Sequence, residues 1–263
     1  YKRKRGRFML TQILGFFTAI LIFIVDTFPM YPGPDVLHQG INPDPRPYVQ
    51  HSGTAGYIFK EGDVELPFRL VKPENIEEGK TYPLVVYLHG SGERGKNNIA
   101  QMQRSLLRGV KKHGEPCYII MPQVFEDKTW TSDGYDAALT RLIEYMLKLY
   151  AVDSDRIYIT GISMGGAGVL DQLLRHPGKY AAAMPVCGYT DVEDLTAFAG
   201  TPMWLAHNSG DNVVSADYSR RIYAAVKDIS EAKYTEYDRA GHNAWDRFYS
   251  DPEVWNWAFS KTL

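Results

Sequence analysis

Arg156-Ile157-Tyr158-Ile159-Thr160-Gly161-Ile162-Ser163-Met164-Gly165-Gly166-Ala167-Gly168-Val169-Leu170 is the stretch whose reading decides the fold. Ile157 to Thr160 are β-branched or aromatic, the composition of a strand buried in a sheet. Val169, Leu170, Leu173 and Leu174 recur at helical spacing. Between the two lies Gly161-Ile162-Ser163-Met164-Gly165, a G-x-S-x-G pattern. Such a turn lifts the serine hydroxyl clear of the sheet, and its glycines keep neighbouring side chains out of the way. The strand before it and the helix after it are the context the pattern needs, so Ser163 is the candidate nucleophile. Met164 follows it at the start of the helix, where a backbone N–H is free to serve as an oxyanion donor.

Moving outward, strand-like and helix-like segments alternate. Tyr57 to Phe59, Leu66 to Val71, Pro83 to Leu88 and Tyr118 to Met121 read as strands, as do Ala181 to Val186, Pro202 to Ala206 and Lys233 to Tyr237. Helices are expected over Gln101 to His113, along the Leu139, Leu142, Ile143, Met146 stripe with Ser132 or Asp133 as its cap, and near Asp217 to Lys227. Another is expected from Pro252 to Phe259, capped by Asp251. This order implies an α/β fold with a mostly parallel sheet and helices on both faces.

In such sheets ligands bind at the C-terminal ends of the strands, and three loops there carry chemistry. His89-Gly90-Ser91-Gly92-Glu93-Arg94-Gly95 follows a fully apolar strand and can turn amides toward a developing oxyanion, with Ser91 as the donor beside Met164. Gly90 and Gly92 are candidate substrate contacts. Asn208-Ser209-Gly210-Asp211-Asn212 and Gly241-His242-Asn243 follow later strands. The chain order Ser163, Asp211, His242 suits a triad in which the histidine takes the serine proton and the aspartate orients the imidazole. Asp217 is a rival acid but sits where it would favour a helix dipole, and Asp238 lies close to His242 in sequence. His89 and His207 are expected to brace strand ends. Trp130 is a candidate for the acyl pocket, with a packing role as the alternative.

The chain of 263 residues is 44% hydrophobic, enough for one large domain, and its net charge of -2 gives no basic surface for nucleic acid. Five basic residues, Lys2, Arg3, Lys4, Arg5 and Arg7, precede an apolar run from Phe8 to Val25. As a helix that run would be roughly 27 Å long, near the bilayer's hydrocarbon thickness of about 30 Å. Residues 1–25 are therefore expected to be a membrane anchor or signal segment, with the body outside the cytoplasm. Residues 26–47 carry six prolines and read as an extended linker, leaving 48–263 as the catalytic domain. Cys117 and Cys187 read as buried thiols with a bridge left open, and their spacing implies no metal site. No cofactor is expected.

YPLVVYLHGSGERG, DRIYITGISMGG, PVCG, the GDNVV loop and YTEYDRAGHNAWD together resemble the secreted or lipid-anchored α/β-hydrolases grouped as predicted peptidases, phospholipase/carboxylesterase-like proteins and relatives of feruloyl esterases and polyhydroxybutyrate depolymerases. The resemblance runs from about Tyr57 to the C-terminus. It implies the α/β-hydrolase fold, Ser163 as nucleophile, Asp211 and His242 as its partners, and oxyanion donors from the Gly90-Ser91 loop and Met164. Relatives commonly carry prolines in place of Asn212 and Ser215. With only Cys187 to Thr201 between two strands, there is no room for a large cap domain, so an open site is expected. Hydrolysis of a carboxylic ester on a glycan, polymer or surface molecule is the reading favoured here. Peptide-bond cleavage is the enzymatic alternative, and a catalytically silent, membrane-anchored binding module is the alternative of another class.

Overall fold

The computed structural model describes residues 41–44 and 54–263. The expected anchor at 1–25 and most of the expected linker lie outside them. Among the described residues no helix is long and apolar enough to cross a membrane.

The described strands form a nine-stranded sheet in the order β1-β2-β3-β5-β4-β6-β7-β8-β9. They are β1 Ile41–Pro43, β2 Ala55–Glu61, β3 Val64–Val71, β4 Tyr82–Leu88, β5 Tyr118–Pro122, β6 Val152–Ile162, β7 Ala182–Val186, β8 Met203–Gly210 and β9 Ala232–Ala240. The pairs from β1 through β3 to β5 are antiparallel, and those from β5 through β4 to β9 are parallel. β4 is buried along its whole length because both faces are covered. Leu84, Val86 and Leu88 enter one core and Val85 and Tyr87 the other, the period of two that a strand imposes.

Helices cover the two faces. α1 Arg104–His113, α5 Trp245–Ser250 and α6 Pro252–Phe259 pack together over one core, and α2 Tyr135–Leu149, α3 Met164–Arg175 and α4 Asp217–Val226 border the other. On α2, Leu139, Leu142, Ile143 and Met146 are buried, each stabilising the fold by about 1.5–3 kcal/mol relative to exposure. Asp251 accepts the Glu253 amide at 3.0 Å, capping α6 as its sequence predicts.

Three expectations need correction. Ile41–Pro43, assigned to the linker, is an edge strand paired with β2, and Ile41 is fully buried, because one apolar residue suffices to dock a short edge segment. α2 is not capped by Ser132 or Asp133. It starts from Gly134 at φ 82°, and the Ser132 hydroxyl instead accepts the Thr129 amide. α5, directly after the His242 loop, has no counterpart in the sequence reading. Between β7 and β8 lies only a 3-10 helix, Leu195–Gly200, and the described residues hold no cap domain there.

The β5-β4-β6 order reverses the direction of winding at β4 and β6. A crevice opens at their C-terminal ends, and the loops carrying Ser91 and Ser163 leave from there.

Candidate active site

Ser163 stands between β6 and α3 with φ 53° and ψ -117°, a conformation that costs a non-glycine residue about 1–3 kcal/mol. A Cβ on Gly165 would lie 1.9 Å from the Leu88 carbonyl oxygen, so only glycine lets the start of α3 press against β4. The Ser163 amide donates to the Val186 carbonyl at 2.9 Å, holding the turn to the end of β7. Met164, first in α3, has no carbonyl of its own helix for its amide. Ser91 opens a 3-10 helix, Ser91–Glu93, in the same position.

The Ser91 loop is tied down from behind. The Asn98 amide donates to Gln123 Oε1 at 2.6 Å, the Gln123 side-chain amide to the Glu93 carbonyl at 2.8 Å, and the Asn98 side chain to Asp44 at 3.0 Å. His89 is fully buried; its Nδ1 donates to the Gly90 carbonyl at 2.6 Å and its Nε2 accepts the Val124 amide at 3.0 Å. Burial lowers its pKa to about 4, so the ring is neutral in this role.

His242 Nδ1 donates to Asp211 Oδ2 at 2.6 Å. The other carboxylate oxygen accepts the Val213 and Val214 amides at 2.9 and 3.0 Å. Burial alone would raise the Asp211 pKa, but the bond from His242 and the two amides outweigh it and the net shift is downward, favouring the carboxylate. His242 Nε2 is buried and makes no hydrogen bond to the described residues. The end of β7 joins this pair to the serine turn. Val186 holds the Ser163 amide, and the thiol of the next residue, Cys187, donates to the His242 carbonyl at 3.3 Å.

His207 exceeds its expected role as a brace. Fully buried, it bonds Ser219 through Nδ1 at 2.8 Å, while Nε2 faces both the Val214 carbonyl at 3.0 Å and Asp211 Oδ2 at 3.2 Å. Asp211 thus lies between two imidazoles. The signal in the sequence is a histidine four residues before the acid at a strand end, too common to stand alone. Cys187 was also read only as a buried thiol. It adopts φ 50°, and its sulfur, an Asp211 oxygen and a His242 nitrogen lie within 4.8 Å of one another. Burial pushes the thiol up to about 12, and the donors already engaged at Asp211 account for the cluster through hydrogen bonds. Cys117 and Cys187 are both free, closing the question of a bridge.

A cleft of about 450 Å³ opens over Ser163 and Met164, bordered by Ser91, Arg94, Tyr189 and Tyr218. Of the other candidates, Gly90 is packed beneath the loop against Glu93 and Ile162, and Gly92 is exposed, with neither lining the cleft. Trp130 does not line it either. Its indole donates to the His89 carbonyl at 2.9 Å, and its Cβ lies against Gly168, so it packs under the site. Asp217 pairs with Arg220 at 2.6 Å, and Asp238 meets Ser209 at 3.4 Å, both exposed and away from His242 in their bonding.

The prolyl oligopeptidase family matches residues 129–242, which include Ser163, Asp211 and His242. The crystal structure of a thermostable esterase is 30% identical, with a TM-score of 0.75, over 80% of this chain and 63% of that one. An S-formylglutathione hydrolase from Staphylococcus aureus, at 15% identity and a TM-score of 0.62 over 80% of this chain and 100% of that one, shares the fold. An uncharacterized secreted protein of Arthroderma benhamiae is 25% identical over 216 residues, 65% of this chain and 22% of that protein. The chain therefore spans less than two thirds of both the esterase and the fungal protein. Sheet order, the strained serine turn and these similarities converge: the chain has the α/β-hydrolase fold and is similar to serine hydrolases of that fold, esterases and prolyl oligopeptidases among them.

Proposed function

We propose that the protein hydrolyses carboxylic esters through an acyl-enzyme formed on Ser163. The observation that carries this reading is the 2.6 Å bond from His242 Nδ1 to Asp211, which leaves the unpartnered Nε2 to accept the Ser163 proton. Ser163 Oγ then attacks the ester carbonyl, and the carbonyl oxygen gains negative charge beside the Ser91 and Met164 amides. His242 returns the proton to the departing alcohol. Water, deprotonated by the same imidazole, attacks the acyl-enzyme, and collapse of the second tetrahedral intermediate frees the acid and regenerates Ser163.

An ester is preferred over an amide because an alkoxide leaves with less help from a proton than an amine does. The cleft over Ser163 and the short β7-to-β8 connection support an accessible site, suited to an ester on a glycan, polymer or surface molecule. A location outside the cytoplasm follows from the basic, apolar N-terminal segment and agrees with the name of the fungal relative. The family match favours peptide-bond cleavage as a second reading.

The test pairs a fluorophosphonate probe with p-nitrophenyl esters and peptide p-nitroanilides. Labelling and ester turnover that vanish in Ser163→Ala are expected. Folded protein that neither labels nor turns over would indicate a binding module, and faster anilide than ester turnover would establish the peptidase.

A further inference from the structure

Among the described residues, Arg94 is the only charged one bordering the cleft over Ser163. Its Nε donates to the Ser91 carbonyl at 3.0 Å, anchoring the guanidinium to the loop whose amide faces the reacting carbonyl in the proposed mechanism. Among the described residues Arg94 forms no ion pair, and its two terminal nitrogens make no hydrogen bond, leaving the face of the fork suited to a carboxylate unused. The neighbouring Glu93 makes no ion pair with it: that carboxylate turns back onto the Gly90 and Glu93 amides. The chain as a whole carries a net charge of -2, so nothing in its overall charge would draw an anion to the cleft without Arg94. Tyr189 and Tyr218 border the same cleft with ring centroids 6.2 Å apart, a surface for the uncharged part of a ligand.

Resting on the ester-hydrolase reading, we infer that the preferred substrate is an ester that itself carries a carboxylate, held by the terminal nitrogens of Arg94 while its apolar or ring portion lies against Tyr189 and Tyr218. Binding the carboxylate orients the ester over Ser163, so selectivity is expressed in kcat/KM for the anionic ester relative to an uncharged one of similar size.

The experiment measures that ratio in two pairs. One puts the charge on the acyl arm, p-nitrophenyl hydrogen adipate against p-nitrophenyl hexanoate. The other puts it on the alcohol, m-acetoxybenzoate against m-acetoxybenzamide. Wild type is expected to favour the anion by about tenfold or more in one pair, with the ratio falling as salt is added. Arg94→Gln should bring that ratio to about one and Arg94→Lys should restore part of it. A purely structural Arg94 would change both members of each pair alike and leave the ratio untouched, which would overturn the inference, as would a wild-type ratio of one or less in both pairs. If neither member of either pair is hydrolysed and Ser163 does not label, it is the ester-hydrolase reading that has failed.

Discussion

The backbone at Ser163 is shaped by the turn itself and by the strand ends and first loop residues it touches, Leu88 with His89 and Val186 with Gly188. The Asp211–His242 pair is assembled differently. Its members are 31 residues apart, on loops after β8 and β9, and are held by the Val213 and Val214 amides, His207 and the Cys187 thiol. The first region is steric and local, whereas the second is a polar network drawn from several elements. Local sterics leave a short pattern in the sequence, and a distributed network leaves only chain order. Damage should differ accordingly: abrupt at the serine turn, graded across the network.

The largest effect tests whether the two regions act as one unit. Ser163→Ala and His242→Ala should each lower kcat by about 10⁴ to 10⁶, with the double variant little worse than either. Additive losses in pre-steady-state and steady-state assays would separate the regions.

Within the network, Asp211→Asn should lower kcat by about 10³ to 10⁴. His207→Ala should cost on the order of 10 to 100-fold, because the carboxylate keeps its amide donors and loses only its second imidazole. Partial recovery in His207→Gln, with KM little changed, would mark His207 as a positioning residue; equal losses in both variants would assign it to packing alone.

The buried histidine beneath the serine turn makes stability depend on pH. His89 is held near 4 by burial, below its ordinary 6.5. As pH falls through about 6.5 the unfolded chain takes up a proton that the native ring refuses until about 4, so stability declines across that window by up to about 3 kcal/mol. His89→Asn should flatten this part of a Tm-against-pH curve, and an unchanged slope would mean the imidazole is not what titrates.

Trp130→Phe gives the smallest expected effect. Losing the indole bond to the His89 carbonyl should cost about 1–2 kcal/mol, read as a Tm lowered by a few degrees, with the order of preference among esters unchanged. A changed order would return Trp130 to the acyl pocket.

Much of the fold was legible because buried parallel strands are short apolar runs, and β4, β5, β7 and β8 stand out as such between loops rich in glycine, asparagine and proline. Ser163 was legible for a related reason, since its conformation demands glycines at fixed offsets. What escaped depends on partners distant in sequence. Trp130 looks like a pocket residue until Gly168 and the His89 carbonyl are brought beneath it. Ser132 looks like a cap, but its hydroxyl finds Thr129 first and Gly134 begins the helix with its left-handed φ. The second bond of His207 requires the β8 loop to fold back on itself, which no pattern announces. Ile41–Pro43 was hidden by Pro43 and the proline-rich sequence around it; an edge strand tolerates a proline because one side of its backbone needs no partner.

That edge strand has a mechanical consequence. Asp44, at its end, holds Asn98, which holds Gln123, which holds the Glu93 carbonyl in the loop of Ser91 and Arg94. Load entering the domain along the chain ahead of Ile41 passes first into the β1–β2 ladder and then along this strut toward the rim of the cleft. A chain shortened to begin at Tyr48 would keep every residue of the cleft and lose the brace, so Ser163 would still label while the loop beside it slackened and turnover fell.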